Sequence, residues 1–340
     1  MHSLLLLLLC AAVHAIYRTD SELAMDYGTP VALPPPRYLS LPPSSLTGTT
    51  LRAAGAARGL FMGAAINEGL WPSAEPYAST FLREYSLATC ENCCKFAELE
   101  GTQNEFTFTA CDFIANVSMV QNTGGVFRGH NFVWGPYNPS WIATLDGPGR
   151  REAMQNHIST ALSHYASLPL PAFTCWDVVN EAVSDSPGIL WKVNNWTISG
   201  EGVPGGYVEN AFRFAKAALP AGSPTRLWYN DYSAEAAGSV KGDKVYGMLK
   251  DMLSRGVPIT GVGLQMHISV DAYPDPWAVS ANIQRLGELG LEVHITEADV
   301  RCTACSAERL SLQAAVYGHM LAACLNNSGV CKSFETWGIT

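Results

Sequence analysis

Basic residues are scarce in this chain: 21 Lys or Arg stand against 30 Asp or Glu among 340 residues, a formal net charge of −9. Such a balance gives nucleic acid or an anionic membrane no basic face to hold, so neither is an expected partner, and a neutral substrate is left open. Charge of either sign is sparse, at 15% against 48% hydrophobic residues. That excludes a disordered chain and leaves enough apolar side chains for a large core. No Gly-x-Gly-x-x-Gly turn follows any strand-like run, which removes the dinucleotide-binding kind of open α/β sheet. No His-x₃₋₅-His pair or second cysteine pair lies at ligand spacing from the Cys-x-x-Cys pairs, and neither metal nor cofactor is expected. Beyond residue 15 no segment is apolar and long enough to cross a bilayer.

What is present begins with "MHSLLLLLLCAAVHA", residues 1–15. Its leucine run closing on Val13-His14-Ala15 reads as a secretory signal, the alternative being a buried N-terminal helix. Residues 16–49 are rich in Pro and Ser and read as a linker or pro-segment, or as an arm wrapped on the domain. From there the pattern is uniform, so 50–340 reads as one domain. Export favours disulfides among the remaining cysteines, Cys90, Cys93, Cys94, Cys111, Cys175, Cys302, Cys305, Cys324 and Cys331, whose odd count leaves one over. Cys90-x-x-Cys93 and Cys302-x-x-Cys305 also have the spacing of half a zinc site. Cys175, inside an apolar run, reads as a buried thiol. Glycosylation sequons at Asn116, Asn195 and Asn326 fit the same compartment.

Short apolar runs recur along the domain: LFMGAAI (60–66), YSLATC (85–90), VFRGHNFVW (126–134), FTCWDVVN (173–180), RLWYN (226–230), ITGVGLQMHI (259–268), LEVHITE (291–297) and SFETWGI (333–339). Between them lie amphipathic stretches such as REAMQNHISTALSHYASL and VYGMLKDMLSRG. Apolar strands alternating with helices imply βαβ units and a parallel sheet. Eight of them predict an α/β fold of the (β/α)8 TIM-barrel type, with a doubly wound open sheet as the alternative.

A barrel of this kind draws its chemistry from the C-terminal ends of its strands. Glu91, Asn92 and Lys95 follow the second run. His130 and Trp134 close the third, and Asn180–Glu181 the fourth. Asn230–Asp231 end the fifth, Gln265 and His267 the sixth, Glu297 and Asp299 the seventh, and Trp337 belongs to the eighth. Any one of these reads equally well as a satisfied core group, but seven successive strand ends converge on one mouth. Two carboxyls, Glu181 and Glu297, then face each other, which suits glycoside hydrolysis: one protonates the leaving oxygen, the other attacks or activates water. Opposed roles need opposed surroundings. Glu181, beside Trp176 and Val179, is placed to keep its proton; Glu297, with His267 and Asp299 near, is placed to lose it.

At these residues the chain is similar to glycoside hydrolase family 10, the endo-β-1,4-xylanases. The motifs are RGHNFVWGPYNPSWI, WDVVNEAV, LWYNDY, GVGLQMHI, HITEADV and ETWGI, which in this order cover roughly 58–340. The resemblance implies a (β/α)8 barrel, retention of configuration and no metal in catalysis. It makes Glu181 the acid/base and Glu297 the nucleophile, with Asn180 on the sugar 2-hydroxyl. His267 and Asp299 would orient Glu297, with Gln265 beside them. His130 and Trp134 would line the cleavage subsite, Glu91, Asn92 and Lys95 would hold sugars on the non-reducing side, and Trp337 would be an apolar platform. Asn230 and Tyr232 would lie toward the reducing side. Cys324 and Cys331 resemble a disulfide of fungal members. The substrate implied is xylan or a xylo-oligosaccharide, cleaved by a monomer. A β-1,4-glucanase or mannanase on a similar barrel, or a catalytically silent polysaccharide-binding barrel, are the rival readings.

Three positions depart from the family pattern. Gly135 stands where many members have His, and Phe96 where Trp is usual. The chain stops at Thr340, before the loop and final helix that the family adds. The expectation is therefore a C-terminally incomplete barrel, its first and eighth strands exposing apolar surface and its stability reduced.

Overall fold

The computed structural model describes residues 49–339 apart from 72–75, 118–124, 169–173, 201 and 204. The signal (1–15) and nearly all of the linker (16–49) read from the sequence lie outside the described residues. The apolar runs form strands β1 Phe61–Ile66, β2 Leu87–Cys90, β3 Val126–Trp134, β4 Thr174–Asn180, β5 Arg226–Asp231, β6 Gly261–Leu264, β7 His267–Ser269, β8 Glu292–Arg301 and β9 Cys331–Thr336. Neighbours pair in parallel in the order β1 to β6, then β8, then β9, and β9 returns to β1. This is a closed eight-stranded parallel barrel with helices between its strands. Both faces of each strand are covered, which is why the strands read as nearly unbroken apolar runs.

The run 259–268 is not one strand. It breaks at Gln265–Met266, where Met266 takes φ 67° and its N–H donates to buried Glu235 at 2.9 Å. The short β7 that follows pairs only with the upper part of β8. An apolar pattern carries no signal for a single left-handed residue, and this one swings Gln265 and His267 onto the mouth.

The longer helices start at sequence-legible caps. Asp146, Ser239 and Ser306 each accept an N–H from the first turn of Gly147–Ser167, Val240–Ser254 and Ala307–Leu325. Each then lays an apolar face on the barrel, as Met154, Ile158, Ala161 and Leu162 do for the first. Each large side chain among them, such as Met154, Ile158 or Leu162, stabilises by about 1.5–3 kcal/mol when fully buried.

The exposed apolar surface expected beside the first and last barrel strands is not found among the described residues. No large apolar side chain of β1 or β9 is exposed. The helix Leu51–Ala56 packs on β1, and Leu51 and Ile339 lie against the core. The ring closes because β9 pairs on both sides.

The Cys-x-x-Cys pairs are disulfides, Cys90–Cys93 and Cys302–Cys305, alongside Cys94–Cys111 and Cys324–Cys331, while Cys175 is free and buried. With their sulfurs bonded to each other, neither pair is half of a zinc site.

Candidate active site

Below the mouth the barrel is filled by charge. Arg128 on β3 is buried and pairs with Asp177 on β4 through Nη2 at 2.7 Å and Nε at 3.1 Å; Nη1 lies 3.4 Å from Glu335 on β9. Both carboxylates are fully buried. Burial alone would weaken the Arg128 proton's hold, but Asp177 and Glu335 together raise its pKa. Thr89 and Ser333 donate to Glu335 at 2.8 and 2.7 Å, and His130 donates to Asp177 at 2.8 Å. Gly263 is what lets this plug form: a side chain there would run into Asn230 Oδ1, Thr296 Cγ2 and Arg128 Nη2. None of Arg128, Asp177, Glu335 or Gly263 stands out in the sequence, because each sits inside an apolar run.

On this floor stand the two glutamates. Strand β4 ends at Asn180, and Glu181 takes φ 56°, its N–H donating to the Asn230 carbonyl of β5 at 2.9 Å. A non-glycine residue in this region is strained, and strain of this kind gathers where a side chain must be aimed. Glu181 Oε1 accepts from Gln265 Nε2 at 3.2 Å and Asn180 Nδ2 at 3.3 Å; Oε2 lies 3.7 Å from Lys192 Nζ. The apolar surroundings expected for Glu181 are therefore replaced by polar ones. The loop after β4 folds back and delivers a cation that no motif announced.

Glu297, on β8, is 5% exposed. Its Oε1 accepts from Asn230 Nδ2 at 2.7 Å and its Oε2 from His267 Nε2 at 3.0 Å. Burial would favour the neutral acid. The hydrogen bond from His267 and the pull of His130, His267 and Arg128 outweigh it and bring the pKa down to about 2. His267 also donates from Nδ1 to Asp299 at 2.9 Å, and these two carboxylates lift it, against burial, to about 10. The imidazolium thus bridges two anions.

The remaining expected residues fall into three places. Asn180 and Gln265 join the two glutamates: Asn180 Oδ1 accepts from Asn230 Nδ2 at 2.9 Å and from Gln265 Nε2 at 3.1 Å. Asn230, expected toward the reducing side, is instead fully buried beneath the glutamates, where Arg128 and Thr296 donate to its Oδ1 at 3.1 and 2.8 Å. It supports Glu297 and does not line a groove. Tyr232 stands with the loop after β4 and accepts from Lys192 at 3.1 Å. On the opposite side Lys95 donates to Asn92 at 2.8 Å and lies 5.0 Å from the Trp134 ring centre. Burial lowers the Lys95 pKa against the opposing pull of Glu297, Glu91 and Glu181. Glu91 precedes them at the end of β2. Trp337 lies nearly perpendicular to the His130 and His267 rings, with ring centres 5.5 and 6.3 Å away. Gly135, where many family members carry His, lies against Asn194.

A carboxylate held ionised, a second carboxyl beside it and a ring of polar and aromatic groups can cleave an acetal. The profile of glycosyl hydrolase family 10 matches residues 50–340. The chain belongs to that family. Endo-1,4-beta-xylanase B of Neocallimastix patriciarum is 34% identical over 76% of this chain, and Exoglucanase XynX of Acetivibrio thermocellus is 29% identical over 82%. The chain spans 28% and 26% of the lengths of these two relatives. The crystal structure of xylanase 10B from Thermotoga petrophila in complex with xylobiose matches with a TM-score of 0.76 at 29% identity, covering 86% of each chain. In this family 10 barrel Glu181 stands just past β4 and Glu297 on β8, the fourth and seventh strands of the ring.

Proposed function

We propose that this chain is an endo-acting hydrolase of β-1,4-xylan that retains anomeric configuration. The observation that carries the reading is the ionised Glu297, buried and held by His267 and Asn230, linked through Asn180 and Gln265 to a more exposed Glu181. Glu297 attacks the anomeric carbon while Glu181 gives its proton to the departing oxygen; the glycosyl-enzyme is then opened by water, from which Glu181 recovers the proton. Asn180, between them, is placed for the sugar 2-hydroxyl. Glu91, Asn92 and Lys95 form the non-reducing wall, and Trp337 the platform beneath the reacting ring. The xylobiose-bound relative supports xylo-oligosaccharide as ligand, and the exoglucanase relative makes glucan the rival substrate. Four disulfides support an exported protein.

Purified protein on xylan, glucan and mannan, with product anomers followed by NMR, tests this. Fast release of β-configured xylo-oligosaccharides is expected. Preference for glucan, or an initial α-product, would refute it. Glu297→Ala should abolish release; undiminished release would exclude the nucleophile.

A further inference from the structure

We propose that Lys192, a residue outside every motif read above, is a positioning residue that aims the proton donor and receives the departing sugar; this rests on the hydrolase reading just given. The two oxygens of Glu181 have different neighbours. Oε1 faces Asn180 and Gln265, the groups that lead to Glu297, whereas Oε2 faces Lys192 Nζ at 3.7 Å. The scissile bond lies between the two carboxyls, so the departing sugar lies beyond Glu181, on the side of Lys192.

The geometry holds this lysine at both ends. Its backbone N–H donates to the Ala182 carbonyl at 2.9 Å, and Val183 bridges Trp191, so the loop returns Lys192 to the residue after the acid. Its ammonium donates to Tyr232 at 3.1 Å and lies 4.5 Å from that ring's centre. Tyr232 is itself anchored, donating to Asp185 at 2.5 Å. The loop does not need Lys192 for its shape: Lys244 donates to the Ser184 and Ile189 carbonyls at 2.9 and 3.0 Å, and Lys241 pairs with Asp185 at 2.8 Å. An ammonium has three N–H donors. Tyr232 takes one and Glu181 draws a second. The third is left on a side chain that is 26% exposed and stands beside Glu181, where a sugar hydroxyl can accept it.

The test separates the leaving-group step from the rest of the cycle. A p-nitrophenyl xylobioside departs without needing a proton and brings no leaving sugar, whereas a xylo-oligosaccharide needs both. Lys192→Met should lower kcat/KM on xylo-oligosaccharides about 10- to 100-fold, the range for a hydrogen bond to a charged group. It should leave kcat/KM on the aryl substrate, which reports only formation of the glycosyl-enzyme, unchanged and the melting temperature intact, and Lys192→Arg should recover most of the loss. Equal losses on both substrates, or none on either, would overturn the proposal. An unaltered chain that cleaves neither substrate overturns the hydrolase reading and this inference with it.

Discussion

Replacing Arg128 by Met offers the sharpest test of how the floor supports the site. Arg128 contributes three contacts to Asp177, at 2.7, 2.8 and 3.1 Å, and one to Glu335 at 3.4 Å. Glu335 would keep Thr89 and Ser333, but Asp177 would keep only His130 among the polar partners described above. Removing one partner of a buried ion pair strands the other charge, which costs about 3–5 kcal/mol. At roughly 2 °C per kcal/mol for a domain of this size, thermal unfolding followed by circular dichroism should fall by about 6–10 °C. Arg128→Met with Asp177→Asn should recover part of the fall, because the stranded charge is gone. Activity should drop as well, since Asn230 loses one of its two donors and so holds Glu297 less firmly. An unchanged melting temperature in the single variant, or a double variant no better than the single, would refute the claim that pairing at Arg128 holds the barrel floor together.

Other perturbations have equally definite outcomes. His267→Leu removes the hydrogen bond that holds Glu297 ionised, so the acidic limb of kcat/KM against pH should move up by about one unit or more. The same imidazole is raised from 6.5 to about 10, so its contribution to stability is complete below pH 6.5 and lost as pH rises through 10. Glu297 runs the other way: lowered from 4.5 to about 2, it supports the fold above pH 4.5 and ceases to as pH falls toward 2. Denaturant titrations across pH should show both slopes in the unaltered chain and lose the alkaline one in His267→Leu. Gly263→Ala pushes a methyl into Asn230 and Arg128, so kcat and melting temperature should fall together. Cys324→Ser with Cys331→Ser opens a bridge across seven residues, which chain entropy values at about 2.5 kcal/mol; urea unfolding should measure it.

The barrel and its two carboxyls were legible because their signals are local. A parallel strand covered on both faces must be apolar over its length, and an Asn–Glu or a Glu closing such a run has nowhere dry to go. Glu181 could therefore be picked out just past β4 and the eight runs counted, whereas β8 runs on through Glu297 and Asp299 to Arg301, and His267 opens β7. The period of the pattern is silent on a single backbone dihedral, which is why the break at Met266 went unseen.

What the sequence determined by itself was the fold class, the eight barrel strands and the set of polar groups, Glu181 and Glu297 among them, that gather at one mouth. Tertiary structure alone decided that Asn230 lies under Glu297 and not along the groove, that Lys192 returns to Glu181, how the cysteines other than Cys324 and Cys331 pair, and that Arg128 is the cation beneath them all. Each of those facts depends on side chains from distant strands meeting inside a closed ring, and strand periodicity fixes which face a residue takes but not whom it meets across the barrel.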